Sequence, residues 1–187
     1  MHNEFERYVH EAAIKNLQIR YCRGIDRLDW DLVRSCFHED AIDDHGRRFR
    51  GDIQDFIAWG SSPGSLSRFA ATTHFTGNQL VELHGEVAWM ESSTRAYHRT
   101  FPTSDTPATD WILNLRYVDV VERRHGHWRI LDRAIVVDSE TTIPVGGDHD
   151  QVGPDWHRSA RDRTDVSYAA AWVARKRASG GTERLSV

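Results

Sequence analysis

Eleven histidines are spread along the chain, and a neutral imidazole, with its pKa of about 6.5, can take and return a proton near neutral pH. His74 has the most informative surroundings. By strand alternation Thr72, His74 and Thr76 share one face while Thr73 and Phe75 share the other. Arg133 alternates with Leu131, Ile135 and Val137; a guanidinium among aliphatic side chains needs an anion or a polar pocket. Tyr21 and, five residues on, Asp26 stand near a predicted helix end. There a carboxylate either caps the following turn or serves a site. Asn78, four residues after His74, would share its face unless Gly77 introduces a bulge.

Metal and covalent chemistry have weaker support. His125 and His127 fall on a predicted turn without a third ligand at suitable spacing, and Asp148-His149-Asp150 lies in a linker-like stretch, so no metal is expected at either. Cys22 and Cys36 form neither a disulfide framework nor a thiolate metal site, which fits a reducing compartment. No G-x-S-x-G, P-loop, G-x-G-x-x-G or H-E-x-x-H occurs. Covalent serine chemistry, nucleotide cofactors and zinc hydrolysis are disfavoured, and no cofactor is expected.

From Glu4 to Tyr21 the apolar residues Phe5, Tyr8, Val9, Ala12, Ala13, Leu17 and Tyr21 recur at helical spacing, and Gly24 interrupts the helix. Asp29 is a plausible N-cap for a short second helix carrying Trp30, Leu32, Val33 and Cys36. Residues 41–51 read as a hairpin, after which Gly51-Asp52 introduces a third helix with Ile53, Phe56, Ile57 and Trp59, which SSPGS ends. The period then changes to alternation, giving strands near 70–83, 86–100, 110–123 and 127–140 with turns at His84-Gly85 and Arg124-His125-Gly126. Residues 1–144 thus form one α+β unit with a curved, mainly antiparallel sheet. Residues 145–187 add an arm and a helix at about 164–178, which must dock on the core or on a neighbouring subunit to cover Tyr168, Trp172 and Val173.

With 28 acidic against 24 basic residues the net charge is −4, so no basic field favours nucleic acid. The charged N-terminus lacks the apolar run of a signal peptide, and no later stretch approaches the ~20 apolar residues of a membrane span. A cytoplasmic location is expected. At 39% hydrophobic and 28% charged residues the chain has the composition of an ordinary globular protein.

Two helices, a hairpin, a third helix and four long strands is also an order with a known relative. The segments IKNLQIRYCRGIDRLDWDLVRSCFHEDAIDDHG, THFTGNQLVELHGEVAWMESSTRAYHR and HWRILDRAIVVD make residues 5–143 resemble the SnoaL-like branch of the nuclear transport factor 2-like superfamily. The resemblance implies a cone-shaped barrel in which the sheet and helices enclose an apolar pocket. It is nearest to scytalone dehydratase, the bile-acid dehydratases and hexachlorocyclohexane dehydrochlorinase, whose His–Asp pair falls here on His74 and Asp26. The dehydratases' helix-end Tyr matches Tyr21, and Arg133 is the nearest match for a final-strand Arg found in some of these pockets.

What the resemblance implies is a cofactor-free lyase acting on a small hydrophobic cyclic substrate. His74 would abstract a proton, Asp26 would orient it, as the acid of a Ser–His–Asp triad does, and Tyr21 or Arg133 would assist the oxygen. The alternatives are an isomerase or cyclase on the same pocket, or a non-catalytic ligand-binding module or dioxygenase β-like accessory subunit, because one fold hosts many functions. Trp128, Ile130 and Val136 oppose Leu131, Ile135 and Val137, so an apolar face would be left for a partner. A homo-oligomer is expected, a trimer favoured and a dimer possible, because the dehydratases are trimers.

Overall fold

Two tight turns set the frame. Gly85 (φ 65°) closes one hairpin, and His125 (φ 52°) with Gly126 (φ 83°) closes another; both adopt the left-handed backbone that two-residue hairpins require. The computed structural model describes residues 4–145 and 156–185. The chain runs α1 (Glu4–Arg27), α2 (Trp30–Ser35), β1 (Phe37–Asp44), β2 (Arg50–Asp52), α3 (Ile53–Ser61), a 3-10 turn (Leu66–Arg68), β3 (Phe69–His84), β4 (Val87–Thr100), β5 (Thr109–Arg124), β6 (His127–Pro144) and α4 (Val166–Ala178).

The six strands form one sheet in the order β2-β1-β6-β5-β4-β3. All neighbours are antiparallel except β1 and β6, which run parallel. The fold is therefore α+β, with α1 laid across β3, β4 and β6. No helix among the described residues is long and apolar enough to cross a membrane.

Helix caps fall where expected. Asp29 accepts a hydrogen bond from the Leu32 N–H, and Asp52 accepts from those of Gln54 and Asp55, satisfying amides that a helix start leaves without partners. The buried stripe of α1 differs from the expected one. It consists of Ile14, Leu17, Gln18, Tyr21, Cys22 and Ile25, whereas Phe5, Tyr8 and Val9 are exposed. Gly24 does not interrupt the helix. It admits α2: a Cβ there would lie 2.7 Å from Val33 Cγ2, so glycine is needed for close approach rather than for a break.

Three bulges decide which side chains face inward. On β6 the register skips Leu131 and then Asp138. Trp128 and Ile130 are buried on one side of the first skip, and Arg133 is buried beyond it. The two apolar faces of this strand thus turn inward in succession rather than opposing one another. On β3 the register skips Asn78, whose φ is 44°, so Asn78 is exposed and does not share the face of His74.

The C-terminal segment docks on its own chain. Tyr168 donates its hydroxyl to Asp29 Oδ2 (2.8 Å), and the Arg23 guanidinium lies 4.9 Å over the Tyr168 ring. Val173 is half-buried, but Trp172 remains 47% exposed beneath Lys176. The site at Asp148-His149-Asp150 lies outside the described residues.

Candidate active site

A cavity of about 630 Å³ opens between the sheet, α3 and the end of α1. Its walls are mostly aromatic and aliphatic: Phe56, Trp59, Phe69, Trp111, Leu113 and Ile135 line it among others. His74, Tyr21, His98 and His45 supply polar groups on that apolar surface, the usual composition of a small-molecule site.

Asp26 and His74 meet at its edge. The last turn of α1 presents the Asp26 carboxylate to the free edge of β3, where Oδ2 accepts the His74 backbone N–H (3.0 Å). Oδ1 accepts the Thr72 hydroxyl (2.9 Å) and lies 2.7 Å from His74 Nδ1. Burial pushes the Asp26 carboxyl up, but the hydrogen bonds and charge of His74, with the Thr72 hydroxyl, outweigh it and hold the pKa below the ordinary carboxylate value. The Asp26 carboxylate is placed to accept a hydrogen bond from Nδ1–H, the arrangement that in a neutral imidazole leaves Nε2 without a proton.

The end of α1 is held from far along the chain. Arg161 donates to the carbonyl oxygens of Ile25 (3.1 Å) and Asp26 (3.4 Å), and also to those of Leu66 (2.5 Å) and Phe69 (3.0 Å). Terminal carbonyls that α1 cannot satisfy internally are thereby paired.

Tyr21 lines the cavity, while Arg133 does not. Arg133 is fully buried behind it, with its guanidinium 4.2 Å from the Tyr21 ring centroid and 4.4 Å from that of Tyr117. Its Nε and Nη2 pair with the two oxygens of Asp119, each at 2.7 Å, and Nη2 also meets Gln18 Oε1 at 2.5 Å. Burial works against its charge, but Asp119 overrides that effect and keeps the guanidinium ionised. Burial, reinforced by Asp43, raises the Tyr21 phenol well above its ordinary value, so its hydroxyl stays protonated and keeps a proton to donate.

Two histidines at the cavity escaped the sequence reading. His98, on β4, stands opposite Thr72 with its ring perpendicular to that of His74, centroids 5.3 Å apart. Burial, and secondarily the charge of His74, lowers its pKa to about 3, so it is neutral; its buried Nδ1 has no protein partner. Strand alternation could have found His98 only if the skip at Asn78 were known, since that skip shifts which β4 residues face His74. His45 follows β1, stacked on Phe56 (centroids 5.0 Å), with Nε2 3.0 Å from the fully buried Asp43. The signal for that pair was the i, i+2 spacing across the end of β1, where extended backbone puts both on one face.

Among the described residues no group of three or more His, Cys, Asp or Glu is placed to hold a metal. Cys22 is buried, hydrogen-bonded to Gln18 and Thr76, and raised by burial to about 11, so it is an inert thiol.

Residues 6–134 match the family described as the SnoaL-like domain. Among solved structures, the chain is similar to a protein assigned as a scytalone dehydratase from Novosphingobium aromaticivorans (22% identity, TM-score 0.62, covering 83% of this chain and 93% of that one). It is similar also to the hexachlorocyclohexane dehydrochlorinase LinA-type3 from Novosphingobium barchaimii (18% identity, TM-score 0.63, 81% and 100%). A third is the β subunit assigned to an aromatic-ring-hydroxylating dioxygenase of N. aromaticivorans (14% identity, TM-score 0.54, 71% and 92%). No curated protein matches.

Proposed function

From the premise that this chain belongs to the SnoaL-like domain family, we propose that it is a lyase that eliminates a small leaving group, water or halide, from a hydrophobic cyclic substrate. The observation that carries this reading is the 2.7 Å contact between His74 Nδ1 and Asp26 Oδ1 on the wall of an apolar cavity. His74 Nε2 takes the proton from carbon, and Asp26 holds the ring in that tautomer and stabilises the imidazolium as it forms. The protonated Tyr21 hydroxyl donates to the substrate oxygen, and the buried His98 Nδ1 offers a second polar contact. Arg133 acts through Tyr21 as a positioning residue. That relatives of the same fold carry dehydratase and dehydrochlorinase names agrees with this chemistry.

The test is a mass-spectrometric screen of ring-hydroxylated ketones and halogenated rings for loss of water or hydrogen halide. On any substrate so found, His74→Ala and Asp26→Asn should fold normally and lose roughly 10²–10⁴-fold in kcat/KM. Tyr21→Phe should lose about a hundredfold. Turnover surviving His74→Ala within tenfold would sink the mechanism. A product of unchanged mass would assign the same groups to an isomerase, and co-purification with an iron–sulfur α subunit would overturn the enzyme reading in favour of an accessory role.

A further inference from the structure

The mouth of the cavity carries charge that nothing in the reaction uses. Arg47, Arg48 and Arg68 line it and are exposed, whereas Glu140 is the one carboxylate among the lining residues. The excess is local, because the chain as a whole is acidic, at −4. Arg48 lies 4.3 Å over the Trp111 ring and Arg68 lies 4.7 Å over the Phe69 ring. Those two rings are themselves stacked, 6.2 Å apart and 23° from parallel. Two guanidiniums are therefore mounted on adjacent walls of one aromatic corner. Among the described residues neither is salt-bridged, while Glu140 is engaged by the Trp111 indole N–H (3.2 Å). Partial burial lowers the Arg68 pKa and the neighbouring charge of Arg48 adds to this, as expected of like charges held close without an anion between them.

Planar guanidiniums bind oxyanions through paired hydrogen bonds, and stacking on aromatic faces fixes their orientation beforehand. The apolar cavity behind them has room for a ring system and little that would solvate a charge. We propose that the natural ligand is an amphipathic anion: a cyclic apolar body that fills the cavity and one acidic group that Arg48 and Arg68 hold at the mouth. This rests on the preceding reading only in taking the cavity as the substrate site, and it narrows the substrate class from hydrophobic rings to hydrophobic ring acids.

The test needs no turnover. Two fluorescent probes share a skeleton and differ in one charge: 8-anilinonaphthalene-1-sulfonate and the neutral N-phenyl-1-naphthylamine. The full chain is titrated with each, alongside Arg48→Gln/Arg68→Gln and Val137→Trp. Val137 lines the cavity but is half-exposed, so a larger ring there blocks it without displacing core. Expected results are a loss of about tenfold or more in sulfonate affinity in the double arginine variant, with the neutral probe changed less than twofold. Added salt should weaken the sulfonate alone, and both probes should be lost in Val137→Trp. Sulfonate affinity that survives the arginine variant, or that survives Val137→Trp, overturns the proposal; so does equal loss of both probes in the arginine variant while circular dichroism shows it folded. Because the probes undergo no chemistry, a negative result here is distinct from failure to find an elimination.

Discussion

Arg161 donates to the backbone carbonyl of Asp26 across 135 positions of sequence, so a segment outside the matched family region holds the helix end that carries the carboxylate. Removing that guanidinium takes one donor from each of the carbonyls of Ile25, Asp26, Leu66 and Phe69, of which Ile25 and Leu66 keep a backbone N–H. Arg161→Ala is expected to cost about 2 kcal/mol, with a fall in Tm of roughly 4–8 °C in a thermal melt. Activity should fall further than stability alone explains. A melt unchanged within 1–2 °C would show that water replaces the guanidinium without cost.

The acid limb of the stability curve should report His98. Its folded pKa, about 3, lies below the ordinary histidine value. The unfolded chain therefore binds a proton that the folded one refuses as pH falls from about 6.5 toward 3, and stability drops by roughly 1 kcal/mol per pH unit in that window. Asp26 has the opposite chemistry. Its depressed carboxyl stabilises the fold above the ordinary carboxylate range and loses that contribution as pH falls through it. His98→Gln should flatten the slope between pH 6.5 and 4 while leaving the loss below pH 4. Equal slopes for the two proteins would refute the assignment.

Arg133 and Asp119 form a fully buried pair, and each alone is an uncompensated charge. Arg133→Met should destabilise by about 3–5 kcal/mol in urea unfolding. Adding Asp119→Leu should recover most of that loss. If the double variant remained as unstable as the single one, the guanidinium's place among Tyr21, Tyr117 and Gln18 would matter more than its charge.

The chain is expected to assemble as a homotrimer through its sheet. The outward face of the sheet carries Phe75, 74% exposed, with Leu80, Val120 and Val136 also exposed. Apolar patches of this kind mark interfaces between subunits. Light scattering is expected to give three times the 21.5 kDa of the chain. A monomer at micromolar concentration would refute it, and Phe75→Glu should dissociate the assembly without lowering secondary structure.

Much of the architecture was legible because it depends on local signals. Alternation placed β3–β6 within a few residues, and the carboxylates of Asp29 and Asp52 marked both helix starts. What alternation could not supply was phase across a bulge. The skips at Asn78, Leu131 and Asp138 change which side chains turn inward, and this hid His98 and left the facing of Arg133 undecided. The exposed Phe5, Tyr8 and Val9 failed for a different reason. Helical periodicity shows a stripe but not how far the sheet beneath it extends. The parallel pairing of β1 with β6 joins residues about ninety apart, beyond any short-range pattern.

β3 is an outer strand of the sheet, sixteen residues long, and an edge of that length offers unpaired backbone groups to any other extended chain. Here α1 lies along it. Asp26 takes the His74 N–H, and Gln79 reaches back to the Lys15 carbonyl. The carboxylate that meets the imidazole therefore also closes part of the sheet's open margin, taking up a backbone N–H that another extended chain could otherwise pair with.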